Sequence, residues 1–174
     1  MKSLFTDKHL QITLDRLTHQ LIENHGDFSN TVLIGLQPRG VFLADRIVAL
    51  LKKQLPNTTV QYGKLDITFY RDDFRGDTLH IPSETDINFS VEGKKVVLID
   101  DVLYTGRTIR SGLEALVDYG RPKKVELLVL IDRWFSRELP IQPDYTGITV
   151  ESVGSQKVKV LWDVRDGQDG VVLL

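Results

Sequence analysis

No cysteine occurs in the 174 residues, which excludes disulfides and thiolate metal sites and is compatible with a reducing compartment. Histidine is scarce and scattered (His9, His19, His25, His80), so no zinc spacing is present. Long apolar runs are missing. Stretches such as Leu127-Leu128-Val129-Leu130-Ile131 are far too short to span a bilayer. The opening Met1-Lys2-Ser3-Leu4-Phe5-Thr6-Asp7 has no apolar signal core, so a cytoplasmic location is expected. A net charge of −2 gives no overall signature of nucleic-acid binding. Repeats, low-complexity segments and linkers are also absent, and the length fits one domain over residues 1–174.

What remains is an alternation of strand and helix. Leu10, Leu14, Leu17 and Leu21 recur at helical spacing, with Thr6 or Asp7 as a cap and Gly26 as a stop. Thr31 to Leu36 reads as a strand, Val41 to Leu55 as a helix, and Val60 to Tyr70 as a strand. Val96 to Ile99, Val125 to Ile131, Val158 to Trp162 and Val171 to Leu174 are further strands; a helix runs from Gly106 to Tyr119. This order predicts an α/β fold with a mostly parallel sheet flanked by helices. The polar stretch from Asp72 to Ser90 lacks periodicity, and a loop of that length is usually functional.

The richest segment is Val96-Val97-Leu98-Ile99-Asp100-Asp101-Val102-Leu103-Tyr104-Thr105-Gly106-Arg107-Thr108. A buried strand ends in two carboxylates and then a turn that opens a helix. Ligands of open α/β sheets bind at such strand ends. Asp100 and Asp101 can accept hydrogen bonds from vicinal sugar hydroxyls. Thr105 to Thr108 offer backbone N–H groups and hydroxyls at a helix N-terminus, which suits a phosphate. Gln37-Pro38-Arg39-Gly40 forms a second turn whose arginine can grip another anion bidentately. Gly35 and Gly40 have a Walker-like gap, but Val41 stands where lysine is required, which excludes an ATP-type P-loop.

The strand, Asp-Asp and Thr-Gly-x-Thr resemble the phosphoribosyl pyrophosphate (PRPP) signature of type I phosphoribosyltransferases. Asp-Asp-Val-Leu-Tyr-Thr-Gly-Arg-Thr, Asp132-Arg133, Arg137-Glu138-Leu139-Pro140-Ile141 and Asp144-Tyr145-x-Gly147 are similar to the bifunctional pyrimidine operon attenuation protein/uracil phosphoribosyltransferase family. The resemblance implies a parallel twisted sheet with a small base-binding hood. It also implies Mg²⁺-dependent transfer of ribose 5-phosphate from PRPP to a pyrimidine, giving UMP and diphosphate if the base is uracil. PRPP is then expected on Pro38, Arg39, Gly40 and the run Asp100 to Thr108, which includes Val102, Leu103 and Tyr104. Magnesium would be shared by Asp101, and the base would lie near Ile131, Asp132 and Arg133. The Pro38–Gly40 turn is implied to bind pyrophosphate and to contain a strained non-proline peptide bond. Tyr70-Arg71-Asp72-Asp73-Phe74-Arg75 resembles the edge of the loop covering PRPP, with Arg71 expected to meet the charge on the leaving group.

The family's messenger-RNA surface maps to Arg16, His19 and Arg137. Its usual arginine and lysine are replaced by Gln142 and Ile148, which should weaken RNA binding and flatten its salt dependence. Trp134-Phe135-Ser136 replaces the family's Gly-His beside the expected base pocket. That aromatic pair, with the resemblance, points to a homodimer or higher homo-oligomer. Two alternatives stay open: a nucleotide-sensing RNA-binding attenuator with weak catalysis, and a purine enzyme. The second arises because Pro143-Asp144-Tyr145-x-Gly147 also resembles the base corner of hypoxanthine/guanine phosphoribosyltransferases, although those carry Lys-Gly in the pyrophosphate turn.

Overall fold

The computed structural model describes residues 2–72, 81–151 and 156–174. The part of the expected covering loop over residues 73–80 lies outside them. Strand β1 (Lys2–Phe5) leads into helix α1 (Asp7–His25), capped by Thr6 and ended at Gly26, whose φ is 58°. Strand β2 (Thr31–Leu36) is buried along its whole length. Helix α2 (Gly40–Gln54), β3 (Gln61–Leu65), β4 (Lys95–Leu103), α3 (Arg107–Leu116) and β5 (Lys124–Asp132) follow. The chain closes with β6 (Tyr145–Thr149), β7 (Val158–Leu161), the short α4 (Asp163–Asp166) and β8 (Gly170–Leu173).

Strands β3-β2-β4-β5-β6 form a parallel sheet in that order, so β4 is central. Its side chains alternate between faces. Val97 and Ile99 join a core with α1 and α2, while Val96 and Leu98 join a core with α3. A second, antiparallel sheet of order β1-β8-β7 ties the first and last strands together and matches the expected hood. Trp162, fully buried at the end of β7, anchors it against Phe42 of α2 with ring centroids 6.5 Å apart.

Four strands differ from the sequence expectation. The strand expected to Tyr70 stops at Leu65, because Asp66 turns the chain. Its carboxylate accepts the Thr68 N–H at 3.2 Å and the Thr68 hydroxyl at 2.7 Å, and a 3-10 turn follows. Strand β4 continues past Ile99 to Leu103, which puts both aspartates inside the sheet. Strands β1 and β6 carry too little periodicity to be foreseen; pairing with β8 and β5 defines them.

Away from the carboxyl ends of the strands, α1 is fastened to β5 and β6 by a polar knot. The His25 Nε2–H donates to Glu126 at 2.9 Å, the Tyr145 hydroxyl donates to the same oxygen at 2.8 Å, and Thr31 donates to His25 Nδ1 at 3.0 Å. Burial lowers the His25 pKa below its ordinary 6.5, with Glu126 opposing the shift. The unfolded chain therefore takes up this proton first as pH falls, so stability present above pH 6.5 is lost progressively below it. The thermal midpoint should fall between about pH 7.5 and about pH 5.5, and His25→Gln should flatten that slope while lowering the midpoint at neutral pH. Scanning calorimetry across this range measures both.

Candidate active site

Asp100 and Asp101 lie at the carboxyl end of the central strand and are 6% and 5% exposed. Burial pushes both carboxyl pKa values upward; for Asp100 the neighbouring Asp101 charge adds to the effect. Arg39 opposes the shift at Asp101, its Nε donating to Oδ2 at 2.8 Å. The second aspartate's own N–H donates to Asp100 Oδ1 at 2.9 Å. Two buried carboxylates with one direct guanidinium partner form a site suited to hydroxyl donors and a hard cation.

The pyrophosphate-type turn sits directly on this pair. An added Cβ at Gly40 would lie 2.3 Å from the Ile99 carbonyl oxygen and 3.0 Å from the Asp100 Cα. Only glycine lets the start of α2 rest there. The other Arg39 nitrogen, Nη2, donates to the Val160 carbonyl of β7 at 2.6 Å, so this residue spans both sheets. The cis bond of this turn is Gln37–Pro38, a proline bond rather than the non-proline one expected.

The phosphate-type turn closes the other side. Gly106 has φ 94°, and Leu139 and Ile141 side chains would stand 3.4 Å from an added Cβ. The Thr105 carbonyl accepts N–H groups of Glu138 at 2.9 Å and Leu139 at 3.1 Å, while its hydroxyl accepts the Arg107 N–H at 3.3 Å. A cavity of about 310 Å³ opens between Arg71, Val102 to Ile109 and Glu138. Arg71 thus shares this space with Thr105–Thr108.

On the expected base side, the residues separate. The Ile131 side chain is fully buried in the α1/α2 core, so only its backbone faces the strand end. Asp132 is 3% exposed and receives the Arg137 Nη2 at 2.5 Å. The Arg133 guanidinium stacks 4.1 Å from the Tyr104 ring centroid and donates to the Gln156 carbonyl. Arg137 also donates to the Tyr104 carbonyl at 2.8 Å, so its guanidinium turns inward rather than toward a surface ligand. Trp134 and Phe135 are 51% and 70% exposed, and Trp134, Arg137 and Gln142 border a separate groove of about 340 Å³.

Arg16 donates to the Thr146 carbonyl at 3.3 Å and to that of Gly147, sealing the outer edge of β6. His19 Nδ1 lies 2.7 Å from the Asp15 carbonyl. Ile148 packs against the core. Val160, Glu138 and Ser111 contribute to the site but escaped the motif reading. A backbone carbonyl from a distant strand leaves no signal, whereas Glu138 and Ser111 sit inside or beside segments already singled out.

Among the described residues, no group of three or more His, Cys, Asp or Glu side chains could cage a metal. The Asp100–Asp101 pair nevertheless fits Mg²⁺, which keeps several waters and binds through one or two carboxylates plus substrate oxygens.

Paired carboxylates between two glycine turns at this strand end, on a parallel sheet with a small second sheet, are the arrangement of the phosphoribosyltransferase class. The chain matches the phosphoribosyl transferase domain over residues 2–164 and belongs to that family, within the group of bifunctional PyrR proteins. It is 45% identical over 171 residues to Bifunctional protein PyrR of Picosynechococcus sp., covering 98% of this chain and 96% of that one. The Ligilactobacillus salivarius protein of the same name is 44% identical over 175 residues, covering 99% and 97%. Among solved structures, a hypoxanthine phosphoribosyltransferase of Staphylococcus aureus superposes with a TM-score of 0.68 at 21% identity, covering 90% of this chain and 80% of that chain. A hypoxanthine-guanine phosphoribosyltransferase of Bacillus anthracis does so with 0.68 at 16%, covering 87% and 85%. These two likenesses concern the fold.

Gly40→Ala tests how closely the turn depends on its seat. It should destabilise the protein by about 1–3 kcal/mol and weaken PRPP binding, because α2 must lift off β4. Denaturant titration and PRPP calorimetry measure the two effects.

Proposed function

We propose that this protein transfers the ribose 5-phosphate of PRPP to uracil, releasing diphosphate. The observation that carries the reading is the buried Asp100–Asp101 pair, flanked by the Arg39–Gly40 turn on one side and the Thr105–Thr108 turn on the other. The bond from the anomeric carbon to the diphosphate oxygen breaks as the bond to the base nitrogen forms, and the base gives up the proton on that nitrogen. Little acid–base chemistry is required of the protein, so positioning and charge stabilisation dominate.

In this reading Asp100 and Asp101 accept the ribose hydroxyls, and Thr105 to Thr108 hold the 5′-phosphate. Arg39 and the Gly40 backbone meet the diphosphate, and Arg71 faces the charge developing on it. Mg²⁺, held by Asp101 and Asp100 with substrate oxygens, supplies charge neutralisation when bound. The base lies against Asp132 and Arg133, and the Pro38-Arg39-Gly40 turn, where hypoxanthine/guanine enzymes carry Lys-Gly, counts against the purine reading. Exclusion of water from the 310 Å³ cavity protects the reacting centre from hydrolysis.

Base-by-base PRPP consumption with uracil, hypoxanthine and guanine tests the assignment. Uracil should be the preferred acceptor by at least about 100-fold, because a base that leaves buried polar groups unpaired is strongly rejected. Combining Asp101→Asn with Thr105→Ala should lower turnover by at least about 100-fold. Normal turnover by that variant would overturn the site assignment, and preference for a purine would overturn the substrate.

The relatives' printed name, bifunctional, favours a second role, and RNA binding is the reading the family resemblance supplies. With Arg16 and Arg137 engaged in protein contacts, the electrostatic share should be small. Titrating a pyrimidine-operon leader stem-loop at about 50 mM and about 200 mM salt should show UMP-stimulated binding with a shallow salt slope. No binding at the lower salt would exclude the second role.

A further inference from the structure

The residues on both sides of Arg71 are tied to α3. The Tyr70 carbonyl accepts hydrogen bonds from Arg110 Nη2 and from the Ser111 hydroxyl, each at 3.0 Å, and Ser111 is buried. The Tyr70 hydroxyl bonds to Asp118. On the other side, Asp72 Oδ2 accepts from Arg107 Nη1 at 2.6 Å and lies 4.0 Å from Arg110 Nη2. Arg107 is itself held from the opposite direction, Nε to Glu138 Oε2 at 2.6 Å. Between these anchors Arg71 lines the cavity shared with Thr105–Thr108, and its charge reaches far enough to favour ionised Asp100.

This arrangement is odd for an anion site unless the carboxylates have another task. Asp72 and Glu138 place negative charge beside a cradle meant for phosphate, which repels the substrate. Their value to stability is small, since Arg107 and Asp72 are 47% and 37% exposed and such pairs contribute little. What they do hold is geometry. A long, flexible arginine stabilises developing charge only if it is already aimed when the charge appears.

We infer that Asp72 is a positioning residue: through Arg107 and Glu138 it fixes the 70–72 segment on α3 and thereby aims Arg71 into the reaction cavity. The inference rests on the phosphoribosyl-transfer reading above. Asp72 touches no substrate in this scheme. If it acts by aiming Arg71, its effect vanishes when Arg71 is removed; an effect exerted through Arg107 in the phosphate turn would persist.

A double-mutant cycle on the full chain reads this directly. Asp72→Asn should lower kcat/KM for PRPP and PRPP affinity about fivefold, leaving the KM for uracil unchanged, and Asp72→Glu should recover most of the loss. In an Arg71→Ala background the same Asp72→Asn change should add nothing. Melting temperatures of all variants identify any that merely unfold. Wild-type kinetics for Asp72→Asn, or an equal loss with and without Arg71, overturns the inference. PRPP affinity by calorimetry needs no turnover. If the wild type binds PRPP but consumes it with no base, the functional reading fails and the affinity cycle still decides the role of Asp72. If the wild type binds no PRPP, both fall together.

Discussion

Burying two adjacent carboxylates at the end of a central strand is the constraint on which this structure turns. Each would rather be neutral there, as the upward shifts of Asp100 and Asp101 record. Among the described residues the compensation is incomplete: Arg39 donates to Asp101, backbone N–H groups donate to both carboxylates, and Arg71 acts at longer range. The residual demand for donors and positive charge is what makes the place a binding site rather than a defect. It also dictates local packing. The first residue of α2 must be glycine so that the helix can sit on Ile99 and Asp100, and Arg39 must immediately precede it to reach Asp101.

The same arginine reaches in the other direction, to the Val160 carbonyl of the small sheet. Arg133 donates to Gln156, in the segment just before β7, while stacking on Tyr104. Two cationic side chains thus connect the parallel sheet with the sheet built from the chain's two ends, or with the segment leading into it. Bidentate guanidinium chemistry suits such a span, since one planar group serves partners on two sides.

Legibility in the sequence followed the range of the interaction involved. The Asp-Asp and Thr-Gly-Arg-Thr segment could be read because its parts are contiguous and their order sets their geometry. Helix α1 was readable to within a residue, since four leucines mark its face, Gly26 ends it, and Thr6 proves to be the cap where Thr6 or Asp7 was expected. The direction in which a charged side chain points was not readable. Arg137 looks like a surface cation in sequence, yet Asp132, five positions away, and the Tyr104 carbonyl draw it inward. Ile131 ends an apolar run as a base contact would, but the pleat turns its side chain into the core. Trp134-Phe135 was visible as a departure from the family; that it forms an exposed 3-10 turn depends on tertiary context.

That context also separates chemistry from surface. Edge strand β6 pairs only with β5, and its outer carbonyls at Thr146 and Gly147 need partners. Arg16 supplies them from α1, and Ile148 packs inward. On this face, therefore, cationic and apolar residues serve the sheet edge, and little positive charge is left to attract a polyanion at long range. At the strand ends the opposite holds. There the arginines converge on an anion site through Arg39, Arg71 and Arg107, held in place by carboxylates that would otherwise be a liability. Three arginines of a chain of nearly balanced charge thus converge where a transfer reaction needs them.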